Sequence, residues 1–255
     1  MKTIGLIGGL SWESTAIYYR LLNETVRRRR GGLHSAKLLL WSFDFAEIEA
    51  LQARGDWPAA TALMIDAARR LELGGAHCLV ICSNTMHRMA PEIEAAVALP
   101  LIHIADATAA AIKASASRRP LLLATRYTME QPFYKARLQE RHGIEAMVPA
   151  EAERATVHRI IYEELCQGII RPESKAAYLE IVSRGRAHGA DGVIFGCTEV
   201  GMIIAAADFD IPVFDTTLLH AEAAIAFAMG SDRGGDLPLP ALKRERRTHS
   251  DSDGG

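Results

Sequence analysis

No stretch of these 255 residues is apolar for the ~20 residues that a bilayer-spanning helix needs. Nothing at the N-terminus reads as a secretory signal, because the chain runs straight into a strand-like segment. An excess of charge is missing too. Lys and Arg total 29 against 31 Asp and Glu, a formal net charge of -2, so neither nucleic acid nor an anionic membrane is an expected partner. Cysteine is scarce, at positions 78, 82, 166 and 197. Without a second Cys pair or a His pair at ligand spacing, zinc lacks donors, and thiols this sparse read as free rather than as a disulfide framework. These absences leave a soluble, cytoplasmic protein as the expectation. Core material is plentiful: 49% of the residues are hydrophobic and 24% charged, enough for one large domain or two ordinary ones.

The most informative stretch is Gly196-Cys197-Thr198-Glu199, where the apolar run 192–195 stops at a glycine and hands over to a thiol, a hydroxyl and a carboxylate. That is the pattern of a buried strand's C-terminal end, where open α/β sheets place their chemistry. Leu79-Val80-Ile81-Cys82 followed by Ser83-Asn84-Thr85 repeats it, with Ser83 standing 114 residues before Cys197. Proline-led segments at 100 and 212 follow the two at an offset of 112, and the apolar runs 4–9 and 121–125 match as strands that each open a helix. The chain reads as two similar halves, each bringing a strand end to a shared cleft.

Helices and strands alternate through the rest. Ser11-Trp12-Glu13-Ser14 offers hydroxyls and an acid at a helix start, Ile17, Tyr18, Leu21, Leu22 and Val26 follow at helical spacing, and Arg27 to Arg30 form a solvated terminus. Strands are expected over 36–43 and 76–82, with a helix capped by Asp44 and another from Asp56-Trp57-Pro58 to Gly74 between them. Then come a helix at 106–115, a strand at 121–125, a helix at 129–142, a strand at 144–148, helices at 151–167 and 173–188, a strand at 211–214, and a helix from Thr216 or Thr217 to Met229. Strands apolar on both faces imply parallel sheets covered on both sides. The fold class is therefore α/β: two pseudo-symmetric, doubly wound domains with the active site between them. The expected division is 1–115 plus 216–229, and 116–215. Residues 231–255, rich in Gly, Pro, Ser and charge, read as a disordered tail in which the basic run from Lys243 to Arg247 is solvated.

A cysteine between a strand end and a helix start has backbone N–H groups and a helix dipole nearby. Both lower a thiol pKa from about 8.5, so Cys197 is expected as a base or nucleophile. Cys78 and Cys166 read as structural thiols. If Ser83 faces the cleft, strand alternation turns Cys82 away. His87 and His103 read as hydrogen-bonded structural histidines. Glu199 either adjusts the proton on Cys197 or caps the next helix.

The strand-plus-turn Gly5-Leu6-Ile7-Gly8-Gly9, the pair Asn84-Thr85 and Gly196-Cys197-Thr198-Glu199 resemble the aspartate/glutamate racemase family over residues 1–229, closest to its bacterial broad-specificity members with Ser-Trp-Glu-Ser after the first turn. The resemblance implies a two-domain α/β fold, often dimeric, that racemises amino acids without pyridoxal phosphate, so no cofactor or metal is expected and the partners are an amino-acid substrate and a second copy. It also implies one cysteine on each side of the substrate, removing or returning the α-proton. The second of these falls on Cys197 and the first on Ser83, whose hydroxyl is a poor base unless activated. By the same resemblance Asn84, Thr85 and Thr198 hold the α-carboxylate, and Ser11, Trp12, Gln52, Thr125, Tyr127 and Glu199 complete the expected binding set. Where acid-specific members carry an arginine and a lysine, this chain has Glu47 and Cys166, with Gln52 and Tyr127 as neutral substitutes. The expected substrate is therefore an amino acid, acidic or of broader kind. Alternatives are a single-cysteine decarboxylase or a cis-trans isomerase of the same superfamily, or an amino-acid binder without turnover.

Overall fold

Six short strands form two parallel sheets in a computed structural model that describes residues 1–230; the expected tail, 231–255, lies outside the described residues. β1 (Ile4–Gly8) lies between β2 (Leu38–Ser42) and β3 (Cys78–Ile81), and the second sheet runs β4 (Leu121–Leu123), β5 (Val193–Phe195), β6 (Val213–Asp215). Single parallel bridges, Leu79 to Leu101 and Leu121 to Met147, extend the two sheets. With those bridges counted, both halves run second, first, third, fourth strand. β1, β3, β4 and β5 are buried along their whole length, as apolar runs covered by helices on both faces must be.

The strand expected over 144–148 is reduced to one bridge. Met147 donates its N–H to Pro120 O and accepts from Leu122 N–H, and the next donor in a parallel ladder would be residue 149. That residue is a proline, with no N–H to give.

The helices are α1 (Trp12–Arg30), α2 (Phe45–Arg54), α3 (Trp57–Leu73), α4 (Ala90–Ala96), α5 (Ile104–Lys113), α6 (Arg126–Glu130), α7 (Pro132–His142), α8 (Glu151–Glu163), α9 (Pro172–Ala187), α10 (Val200–Ile203) and α11 (Thr216–Met229). Ser11, Asp44 and Asp56 cap α1, α2 and α3 with side-chain oxygens. The helix expected over 129–142 begins earlier, on the Thr125 cap, and breaks at Gln131, because the ring of Pro132 cannot continue it. α5 starts at Ile104 rather than 106, with His103 Nδ1 accepting from Ala105 N–H at 3.2 Å. The helix expected over 151–167 ends at Glu163 and is followed by a 3-10 turn, Leu165–Gln167.

Two helices cross between the halves. α11 buries Ala221, Ala224, Ile225 and Ala228 against Ile4, Leu6, Tyr18 and Leu22 of the first half, and Lys2 N–H donates to Ala228 O at 2.7 Å. α5 lies before the midpoint of the chain yet packs Ile104, Ala109 and Ile112 into the core around β4 and β5. The halves are thereby stitched face to face, with the C-terminal ends of β1, β3, β4 and β5 meeting in one cleft. No helix among the described residues is long and apolar enough to cross a membrane.

Candidate active site

A narrow, partly open cleft lies where these strand ends meet. The first half lines it with Leu10, Ser14, Phe45, Gln52 and the segment Cys82 to Thr85; the second contributes Thr125, Ile161, Tyr162, Cys166 and the segment Gly196 to Glu199. Two glycines allow the strand ends to approach so closely. Gly9 has φ +70°, and a Cβ there would sit 2.2 Å from Phe43 O; at Gly196 a Cβ would sit 2.5 Å from Leu122 Cδ1.

Cys197 is partly buried and donates its S–H to Glu199 Oε2 at 2.8 Å. The other carboxylate oxygen, Oε1, accepts from Ser11 Oγ and Ser14 Oγ at 2.6 Å each. Ser11 and Ser14 lie one turn apart at the start of α1, so this half's first helix holds the carboxylate that serves the other half's thiol. Burial, with the Glu199 carboxylate and Cys166 alongside, pushes the Cys197 thiol well above its ordinary value. The expectation of a lowered pKa is thus corrected. α10 has four residues, too few for a strong dipole, and the adjacent anion opposes ionisation. At rest Cys197 is a protonated thiol hydrogen-bonded to its own carboxylate.

Opposite it, Ser83 Oγ accepts one long hydrogen bond, from Met86 N–H at 3.4 Å. Among the described residues no carboxylate, imidazole or amine takes its proton. Cys82 is fully buried in the core with Tyr18 and Leu22, and its burial pushes its pKa up. It nevertheless also forms part of the cleft wall. Strict alternation expects it to point wholly away, but β3 ends at Ile81 and the alternation ends with it.

Asn84 has a defined orientation. Thr216 Oγ1 donates to Phe195 O at 2.7 Å, so it must accept from Asn84 Nδ2 at 3.0 Å. Asn84 Oδ1 is left buried without a partner among the described residues, so its hydrogen-bonding capacity is unspent. Beside it the hydroxyls of Thr85, Thr125 and Thr128 form a triangle with sides of 2.9, 3.1 and 3.2 Å across the two halves. On the outer wall Tyr162 OH donates to Gln52 Oε1 at 3.0 Å and its ring stacks on Phe45. The lining residues include no lysine or arginine, and Glu199 is their one carboxylate.

The structure brings together Cys197, Ser83, Asn84, Thr85, Thr125, Thr198, Glu199 and Gln52 around this cleft, with Ser11 just behind Glu199. It does not bring in two of the expected binding residues. Trp12 is 68% exposed on the outer side of α1, a rotation of one residue away from Ser11. Tyr127 packs edge-on against Trp57 and His158 outside the lining. Ser14 carries no site motif of its own in the sequence, though its spacing of three from Ser11 puts both hydroxyls on one helix face. Cys166, read as structural, lines the cleft near Glu199. Tyr162, Phe45 and Ile161 carry no local signal at all.

Facing strand ends of an α/β fold thus present a thiol with its own carboxylate and a hydroxyl to one small cleft. The chain belongs to the Asp/Glu/hydantoin racemase family, which it matches over residues 7–224, and that membership supports amino-acid racemase activity. A Yersinia pestis protein provisionally assigned as an Asp/Glu racemase is 54% identical, and its crystal structure gives a TM-score of 0.84 over 90% of this chain and all of that one. An aspartate racemase homologue from Pyrococcus horikoshii OT3 is 33% identical, with a TM-score of 0.77 and the same coverage of 90% and 100%. The broad specificity amino-acid racemase RacX of Bacillus subtilis (strain 168) is 23% identical over 167 residues, 64% of this chain and 70% of its own length.

Proposed function

We propose that the protein racemises free amino acids with Cys197 on one side of the α-carbon and Ser83 on the other, using side chains alone. The observation that carries this reading is the hydrogen bond from Cys197 to the buried, serine-held Glu199, set across the cleft from a lone hydroxyl. The α-carboxylate would take hydroxyls of Thr85, Thr125 and Thr198, and the α-ammonium would meet the unpartnered Asn84 Oδ1. That incoming cation favours ionisation of the thiol. Cys197 passes its proton to Glu199, and the thiolate takes the α-hydrogen while the hydroxyls steady the charge that develops on the substrate. Ser83 then gives its proton to the opposite face of the carbanion, and solvent restores the starting protonation.

A lining with a carboxylate and no cation gives a second substrate carboxylate nothing to pair with. Neutral and polar amino acids should therefore turn over at least as well as aspartate and glutamate. The test is a panel of single-enantiomer amino acids incubated in deuterated water. Racemisation shows as loss of optical activity with deuterium at the α-carbon of the product; unchanged rotation across the panel would overturn the reading. The solitary Ser83 hydroxyl favours one rival, a decarboxylase in which Cys197 alone protonates a carbanion. Carbon dioxide release in the same panel would identify it.

A further inference from the structure

Behind Ser83, on the side away from the cleft, lies a buried cluster of three histidines, packed edge to face, that the chemistry above does not use. The ring centroid of His87 is 4.7 Å from that of His103 and 5.4 Å from that of His220. Their hydrogen bonds assign the tautomers. His87 Nδ1 lies 2.7 Å from the Ser83 carbonyl oxygen and must carry the proton, while His87 Nε2 accepts from Ile104 N–H at 3.2 Å. His220 is the reverse: Nε2 donates to Ile102 O at 2.6 Å, and Nδ1 accepts from Tyr18 OH at 2.8 Å. Each ring is neutral, because a second ring proton would meet a donor already pointing at it. Burial holds His87 and His220 well below the ordinary histidine range.

We infer that His87 is a positioning residue for the Ser83 side of the reaction, a rigid spacer that ties the Ser83 peptide to the first turn of α5. Three observations lead there. Ser83 lies beyond the end of β3, so no sheet ladder fixes it. Its hydroxyl has one long contact, whereas its carbonyl has the short bond to His87. Ile104, at the other end of the ring, belongs to the helix packed into the opposite half, so the imidazole couples Ser83 to the half that carries Cys197. A shift of Ser83 by about 1 Å is enough to cost on the order of 100-fold in a proton transfer. The Cys197 face has its own supports in Glu199, Ser11 and Ser14 and does not depend on this ring.

The inference rests on the racemase reading, and the experiment separates the two. β-Chloroalanine reports the Cys197 face alone. Loss of the α-proton to Cys197 expels chloride and leaves 2-aminoacrylate, which hydrolyses to pyruvate and ammonia, so no proton need arrive from Ser83. The enantiomer whose elimination disappears in Cys197→Ala is the one to use. His87→Gln keeps an acceptor near the Nε2 position but loses the Nδ1–H donor; His87→Asn keeps that donor. In His87→Gln, chloride release should stay within about twofold of wild type while racemisation kcat falls by about tenfold or more. His87→Asn should return the ratio of the two rates to within about threefold of wild type. If His87→Gln does not fold, His87→Phe, which fills the ring volume without a donor, carries the same expectation. Parallel loss of both rates in these variants, or an unchanged ratio in all of them, would make His87 a packing residue and overturn the inference. Absence of both reactions in the wild-type protein would overturn the racemase reading and this inference with it.

Discussion

At the scale of single residues, the two sides of the cleft are chemically unequal. A thiol has a carboxylate to receive its proton and a hydroxyl has none. Cys197→Ala should abolish turnover of both enantiomers while moving the unfolding free energy by less than about 1 kcal/mol, measured by activity and urea unfolding of the same preparation. Glu199→Gln leaves the thiol beside an amide that cannot take a proton, so kcat should fall by about 10²–10⁴-fold; a loss below threefold would remove Glu199 from the relay. Inequality has a further consequence at Ser83. On the proposed mechanism the resting enzyme should be ready for the enantiomer whose α-hydrogen faces Cys197 and should bind the other unproductively. Racemisation has an equilibrium constant of one, so kcat/KM must match in both directions, and the asymmetry emerges as a low kcat with a low KM for the disfavoured enantiomer. Ser83→Cys should draw the two turnover numbers together, as initial rates from each enantiomer would show. Much of this site was legible, because Cys197, Thr198, Glu199, Ser83, Asn84 and Thr85 directly follow apolar strands. The state of the thiol was not, since it depends on how deeply the thiol itself is buried and on the carboxylate set beside it.

At the scale of elements, the strand ends are held in register by what they lack. Gly196 has Leu122 Cδ1 and Ala124 Cβ at 2.5 and 3.0 Å from where a side chain would begin. Gly196→Ala should therefore destabilise the protein by about 1–3 kcal/mol through overpacking, read as a lower urea midpoint, and should also lower kcat by displacing Cys197. An unchanged midpoint would show that β4 gives way freely. Apolar runs sufficed to place β1, β3, β4 and β5. They failed where a backbone rule overrides side-chain pattern: Pro132 splits the helix that periodicity joins, and Pro149 ends a ladder after one rung. Those cues were present in the letters but act through a missing N–H rather than through hydrophobicity. Tyr162 and Phe45 reach the cleft only because α8 and α2 turn particular faces toward each other, which no single-chain period reveals.

For the whole molecule, the histidine cluster should couple stability to pH. Burial lowers His87, His103 to about 3 and His220 to about 4; near His103 the Arg137 charge adds to the effect and Asp106 opposes it. These values lie below the unfolded value of about 6.5, so the unfolded chain binds the extra protons. Stability complete above about pH 6.5 is lost as the pH falls toward the folded values, by about 2 kcal/mol at pH 5 for His103 alone. Urea midpoints at pH 7.5 and pH 5 would register it, and equal midpoints would mean that the rings take up protons as readily in the fold as in the unfolded chain. The exchange of helices between halves bears on something else, the order in which the protein is made. Residues 216–229 supply a wall of the core built around β1 and Tyr18, and they are synthesised after every strand. A ribosome that has finished β6 therefore still holds an N-terminal half with its apolar side open, a state exposed to chaperones and to misassociation. Chains stalled at residue 215 should be cut by protease in the first half, and chains extended past residue 230 should not.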